Sequence, residues 1–300
     1  MPDFTVSPVD YPAAAGELHA LRDTVFVQEQ GVPASLERDA LDPECVHVVA
    51  RDTEGNAIGT GRLTPARKVG RMAVLPAWRG RGVGEAMLGA LVEAARERSW
   101  RTLALNAQAG AIAFYARHGF VPVGPRFEEA GIEHQAMERV LDGATTIASR
   151  DGAEACVLAL AWHTRRHLRI YSRALDPGLF DAPPVLEAIR RLAVRGNGVE
   201  IRILLQDAIT PRQNLAPLLA LAQRLPSVLQ LKEVEDPVDR VYPSAFVASD
   251  AGGYYFRGLG HRYDGEADLH GPGRARQLCD EFDRFWERSR ACSELRALGL

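Results

Sequence analysis

Residues 69–88, VGRMAVLPAWRGRGVGEAML, constrain this chain more than any other stretch. A run that reads as a strand ends at Leu75-Pro76. Arg79-Gly80-Arg81-Gly82-Val83-Gly84 then leads into an apolar-periodic helix with Ala86, Leu88, Leu91, Val92 and Ala95 on its repeat. Glycines let the main chain pass close to a ligand, and a helix N-terminus presents unpaired N–H groups and partial positive charge. Such a turn suits a phosphate-type anion, with Arg79 or Arg81 able to add charge-assisted bonds. It is neither a dinucleotide fingerprint, since G-x-G-x-x-G is absent there, nor a P-loop, since the closing G-K-[ST] is missing. Taken alone, those six residues fit a tight turn with solvated arginines equally well.

The surrounding pattern is α/β. Ala13–Gln30 reads as a helix, with Leu18, Leu21, Val25 and Phe26 at spacings of three and four. Residues 46–51 and 57–63 read as a hairpin around the turn-rich 52–56. After the helix that follows Gly84 come a strand at 102–107, a helix at 111–118 and strands near 120–123 and 134–140. Small polar residues 142–150 form a plausible linker. A second α/β run follows: helix 153–165, strand 167–171, helix 184–195, strand 200–205, helix 215–225, strands 229–233 and 245–249, and helix 273–290. That last helix carries Leu278, Phe282, Phe285 and Trp286 on one face.

With 300 residues, 46% apolar and 25% charged, the chain has material for two ordinary cores. No window approaches a membrane span and the N-terminus lacks a signal-peptide pattern, so the expected location is cytoplasmic. A net charge of −3 without a basic run leaves no nucleic-acid footprint. Cys45, Cys156, Cys279 and Cys292 are scattered, away from histidines at ligand spacing, and read as buried thiols; no metal is expected.

The run strand, V-x-P-x-x-R-G-x-G-x-G, amphipathic helix resembles the acetyl-CoA motif of the GNAT N-acetyltransferases. Gln108-Ala109-Gly110-Ala111-Ile112-Ala113-Phe114-Tyr115, closing at Gly119-Phe120, resembles that family's second signature. The resemblance covers residues 4–141 and implies a mixed sheet flanked by helices over a domain of residues 1–141. It further implies acetyl-CoA as acyl donor, an amine as acceptor, and a homodimer as a family-level expectation. Main-chain groups of Met72, Ala73 and Val74 would pair with the pantetheine arm and polarise the thioester, and backbone amides of Arg79, Gly80, Arg81, Gly82, Val83 and Gly84 would cradle the pyrophosphate. Tyr115 would be the general acid for the departing thiolate; as the bland alternative it is a half-buried structural tyrosine. Gln108 stands where the family usually has asparagine, which leaves its contact with the pantetheine open.

Arg22-Asp23-Thr24-Val25-Phe26-Val27-Gln28-Glu29-Gln30 is similar to the opening helix of ElaA-like acetyltransferases and of acyl-homoserine-lactone synthases, with Asp39 and Asp42 following. On that likeness Glu29 is a candidate to orient or deprotonate an amine; the alternative is that Glu29-Gln30 ties the loop to the scaffold. His47, His134, Glu128 and Glu129 are further candidate bases, none assigned. Besides transfer, a non-catalytic acyl-CoA sensor and a lactone synthase are alternatives.

Residues 151–300 form the second domain. HLRIYSRALDPGLFD, GVEIRILLQD and SAFVASDAGGYYFR resemble a lobe of the phospholipase D fold, whose motif is H-x-K-x-x-x-x-D. Aligning Asp250 with that aspartate puts Pro243 at the histidine and Ala245 at the lysine, so the expected role is binding, not catalysis. His163, His261, His270, Asp207, Asp239 and Asp250 read as structural residues or turn formers.

Overall fold

The computed structural model describes residues 3–196, 198–214 and 216–292, the Arg212 side chain excepted. The expected helix start at Leu215 and the expected outer domain bounds, residues 1 and 300, lie outside the described residues. The chain divides into two compact units, one running to Ala109 and resuming over Val123–Asp142, the other built from Gly110–Pro122 and the chain from Gly143 onward.

The first unit opens with β1 (Phe4–Val9), α1 (Tyr11–Arg22) and the short α2 (Ala34–Glu37). β2 (Val46–Asp52), β3 (Ala57–Leu63) and β4 (Val69–Val74) complete an antiparallel sheet in the order β1-β2-β3-β4. The β2–β3 turn is set by Asp52, whose Oδ1 accepts from the backbone N–H groups of Glu54 and Asn56, with Gly55 supplying a φ of 89°. The helix expected over 13–30 is α1 continued by a wide π-helical segment, Asp23–Glu29.

α3 (Val83–Glu97) packs on β2 and β3 through Met87, Leu88, Leu91 and Val92. Two β3 glycines allow the close approach. A Cβ at Gly59 would meet Ala73 O at 3.0 Å and Met87 at 3.2 Å; one at Gly61 would meet Met72 Sδ at 2.5 Å and Leu91 Cδ1 at 3.2 Å. β5 (Thr102–Gln108) follows. The chain then leaves this unit through α4 (Ile112–Arg117) and β6 (Val121–Pro122), and returns as β7 (Phe127–Glu129) and β8 (Ile132–Val140). β8 pairs antiparallel with both β5 and β7.

In the second unit, β9 (Thr145–Ile147) lies inside the stretch expected to be a linker, so that stretch is partly sheet. The remaining elements are α5 (Arg150–His163), β10 (His167–Ser172), α6 (Pro183–Val194), β11 (Glu200–Leu205), α7 (Ile209–Gln213), α8 (Pro217–Arg224), β12 (Leu229–Glu233) and α9 (Pro237–Arg240). β13 (Ala245–Ser249), β14 (Tyr254–Arg257), β15 (Gly265–Asp268), α10 (Pro272–Glu287) and β16 (Arg290–Ala291) end the described chain. The sheet order is β16-β12-β11-β10-β13-β14-β15-β9; β10, β11 and β12 run parallel and the other pairs are antiparallel.

α10 buries Leu278, Phe282 and Trp286 against Tyr171, Phe246 and Tyr254, the face its spacing predicts. α4 packs on α5, where Trp162 is sandwiched between the guanidinium groups of Arg117 (4.4 Å) and Arg191 (3.7 Å). The cysteines are all free thiols, but only Cys156 is fully buried; Cys45, Cys279 and Cys292 are half-buried, a correction to the expectation. Among the described residues no helix is long and apolar enough to cross a membrane.

Candidate active site

β4 and β5 meet at one parallel bridge, Lys68–Ala104, with Ala104 N–H donating to Arg67 O at 3.0 Å. Beyond it, no strand among the described residues pairs with the outer edge of β4. The two residues Arg71 and Met72 stand opposite the single position Gly61, and Arg71 has φ 50°, which marks a bulge. Past the bulge the strand alternates regularly. Ala73 O faces β3, since it lies 3.0 Å from where a Gly59 Cβ would be. Leu75 N–H donates to Ile58 O of β3 at 3.0 Å. Main-chain groups of one residue point to one side of a strand and alternate along it. Val74 therefore directs its N–H and C=O to the open edge, and Ala73 directs its own to β3. Of the residues expected to meet a thioester, Val74 has a free-facing donor and Ala73 does not.

The glycine turn follows directly. Gly80 (φ 74°) and Gly82 (φ 85°) occupy the left-handed region, and a Cβ on either would meet no atom within 4 Å. Gly82 is the N-cap of α3 and no side chain caps that end, so the amides of the first helical turn face outward. Arg81 lies over the Trp78 ring at 4.9 Å. Arg79 folds back: its Nε donates to Val74 O at 3.0 Å, while its two terminal nitrogens donate to the Glu29 carboxylate at 2.7 and 2.6 Å.

Glu29, the last residue of the π-helical segment, is thus engaged at both oxygens. The Arg79 hydrogen bonds hold its carboxyl below the usual range, opposite to what a general base near neutral pH needs. Gln30 next to it accepts from Gln108 Nε2 at 2.8 Å. Residues 29–30 are therefore tied to the end of β4 and to the end of β5. In this arrangement both side chains are engaged in hydrogen bonds.

The first unit also holds a buried ionic network among Arg22, Glu37, Asp39, Asp42 and Arg62. Arg22 bonds Glu37 and reaches Asp42 at 2.9 Å; Arg62 bonds Asp42 and reaches Asp39 at 2.5 Å. Arg22, Glu37 and Asp42 are at most 1% exposed. Burial by itself would raise the Asp42 pKa, but hydrogen bonds from Arg22 and Arg62 carry it below the ordinary value. His47 is pushed down by burial; its Nε2–H donates to Asp42 O at 2.8 Å and its ring stacks on Tyr11. Asp42, Cys45 and His47 place metal-capable atoms within 4.8 Å of one another. Both Asp42 oxygens are already held by guanidinium groups, so this trio is ill suited to a cation.

The other candidate bases lie elsewhere in the first unit. His134 Nδ1–H donates to Ile132 O at 2.8 Å and its ring stacks on Phe127. Glu129 accepts from Asn106 at 3.2 Å, and Glu128 is exposed on β7. Tyr115 belongs to the second unit, on α4, edge-on to Phe114 and Phe120. Burial pushes its pKa up to about 12, which keeps the phenol protonated at neutral pH.

In the second unit Asp250 accepts from the backbone N–H groups of Arg165 (2.9 Å) and Arg166 (2.8 Å), fastening the loop before β10. Ala245 is fully buried, and a Cβ on Gly260 would come within 3.2 Å of its own, so the two segments pass close together there. Pro243 O accepts from Gly260 N–H at 2.7 Å. Asp239 is held by Arg288 at 2.8 Å, and Asp207 caps the start of α7 through Ile209 and Thr210. His163 Nε2–H donates to Arg117 O at 2.8 Å, and His261 is exposed. His270 lies at the entry to α10, where its backbone N–H donates to Asp268.

Residues 11–141 match the family model described as an acetyltransferase (GNAT) domain. Residues 149–298, whose sequence resembles a phospholipase D lobe, match instead a domain of unknown function (DUF7931). An uncharacterized N-acetyltransferase of Bacillus subtilis is 39% identical over 121 residues, which is 39% of this chain and 86% of that protein. A crystal structure of an acyl-CoA N-acyltransferase from Pseudomonas aeruginosa is 32% identical, covering 46% of this chain and 99% of that one, with a TM-score of 0.41. Escherichia coli ElaA is 26% identical, covering 45% and 99%, with a TM-score of 0.42. The enzyme is an acyltransferase, and the chain belongs to the GNAT acetyltransferases through residues 11–141 and to the DUF7931 family through residues 149–298.

Proposed function

We propose that this enzyme, of the ElaA-like kind, transfers an acetyl or short acyl group from coenzyme A to an amine by direct attack. The observation that carries this reading is the open edge of β4 running into the uncapped, glycine-turned N-terminus of α3. A pantetheine arm has the length and amide spacing to pair along such an edge, and a pyrophosphate suits the amides from Arg79 to Gly84. The amine nitrogen bonds to the thioester carbonyl carbon, and the negative charge that develops on oxygen falls to the Val74 N–H. Collapse of the tetrahedral intermediate re-forms the carbonyl, breaks the C–S bond and releases the thiolate of coenzyme A. The amine's surplus proton leaves to solvent; Glu29 is held at both oxygens by Arg79, and His47 is buried against Asp42 O.

Tyr115 serves the leaving group in this reading, on the strength of its place in the second signature. A phenol raised to about 12 is a weaker acid than an alkyl thiol. Its contribution is therefore a hydrogen bond to the departing sulfur more than complete proton transfer. The DUF7931 unit has a binding or regulatory role in this reading. The lactone-synthase alternative loses support because Arg22 and Asp42 are consumed by buried ion pairs.

The test is release of free thiol from acetyl-CoA against a panel of small amines, polyamines and peptides. Tyr115→Phe should slow release by about a hundredfold with acetyl-CoA affinity little changed. Saturable acetyl-CoA binding without thiol release by any amine would instead establish the sensor reading.

A further inference from the structure

Arg79 makes three directed bonds with one guanidinium group, and none of them points into the phosphate turn. Its Nε takes the Val74 carbonyl, and its other nitrogens take both oxygens of Glu29. The peptide plane joining Val74 to Leu75 is consequently pinned from both sides, by Arg79 on its carbonyl and by Ile58 O on its N–H. Without Arg79, the Val74 carbonyl would be an acceptor on the open edge beside the Val74 N–H. A ligand amide could then use either group and slide in register. With Arg79 in place the carbonyl is occupied and the N–H is the group that remains for a ligand.

We propose that Arg79 is a positioning residue that reserves the Val74 N–H for the acyl carbonyl, and that Glu29 is its anchor. This rests on the acyl-CoA reading above and assigns Arg79 a side-chain role beyond its amide in the turn. A planar fork with fixed donor directions can hold a carbonyl and a bidentate carboxylate together, whereas an ammonium cannot. Because Glu29 ends the π-helical segment Asp23–Glu29, the same bonds also tie that segment to the end of β4. A charge-only role for Arg79, attracting phosphates, makes a different prediction. It would aid acetyl-CoA and free coenzyme A alike, since both carry the same phosphates.

The discriminating quantity is the ratio of dissociation constants for free coenzyme A and acetyl-CoA, measured by calorimetry on the full chain. The two ligands differ only in the acetyl group, whose carbonyl and methyl replace the thiol hydrogen. The wild type should prefer acetyl-CoA by about tenfold, the worth of one well-placed hydrogen bond. Arg79→Ala should bring the ratio to about one, and Arg79→Lys, which keeps the charge, should fail to restore it. Glu29→Gln should give an intermediate ratio. Arg79→Ala weakening both ligands equally, or Arg79→Lys restoring the preference, would overturn the proposal in favour of a phosphate contact. A wild type that prefers neither ligand would overturn it too. A wild type that binds neither ligand would sink the acyl-CoA reading itself, a separate outcome. Arg79 and Glu29 are exposed, so the variants should fold, and a thermal melt of each variant checks this.

Discussion

Asp42 and His47 show how single residues trade charge for position in this chain. Both sit inside the first unit with pKa values displaced downward, Asp42 by its two arginines against burial and His47 by burial itself. In each case the unfolded chain binds the proton more readily than the folded one, so stability falls as pH drops. For His47 the loss begins near its ordinary value, about 6.5, and for Asp42 near about 3.9. Thermal midpoints should therefore decline between pH 7 and 5, and decline again below pH 4. His47→Gln should remove the first slope and leave the second. An unchanged slope between pH 7 and 5 in that variant would show that some other group carries it. The family likeness of the opening helix pointed to Arg22, Asp39 and Asp42, but not to Glu37 or Arg62. An ion pair across 15 or 20 positions leaves no periodic trace.

At the scale of elements, periodic segments were the legible ones. α3, α6, α10, β3, β11, β12 and β13 lie where apolar spacing puts them, within a residue or a few. β1, β7, β9, β14, β15 and β16 are not legible as strands from spacing, and for four of them pairing gives the reason. β7 and β9 are only three residues long, and β1 and β15 expose much of their length, so the neighbouring strand supplies what their composition does not. The π-helical turn at 23–29 was equally hidden, because its apolar spacing passes for an ordinary helix. The β3 glycines were visible only as part of a strand, yet they decide how closely α3 seats. Gly61→Ala should force Met72 and Leu91 aside and cost about 1–3 kcal/mol in chemical unfolding. A midpoint equal to wild type would show that Met72 moves away freely.

Across the whole molecule, family boundaries and packing boundaries part company. The acetyltransferase match runs unbroken from 11 to 141, while residues 110–122, including Tyr115, cluster with the DUF7931 unit. The signature around Gln108–Phe120 was legible as a motif, but no motif announces that α4 will have α5 as a partner. The second half was legible as α/β, but its likeness to a phospholipase D lobe found no support, the match being to DUF7931; polar groups there such as Asp250 are spent on internal bonds, here to 165–166. What remains firmest is the strand, glycine turn and helix over 69–97. Gly82 stands at φ 85° in open space, and a glutamate there would add backbone strain, bulk and negative charge where the pyrophosphate is proposed to lie. The most direct measurement is calorimetric titration of acetyl-CoA into the wild-type chain and into Gly82→Glu, with circular dichroism to confirm the fold. The wild type should bind one equivalent and the variant at least about a hundredfold more weakly. A folded Gly82→Glu protein that binds acetyl-CoA as tightly as the wild type would contradict the assignment of this turn.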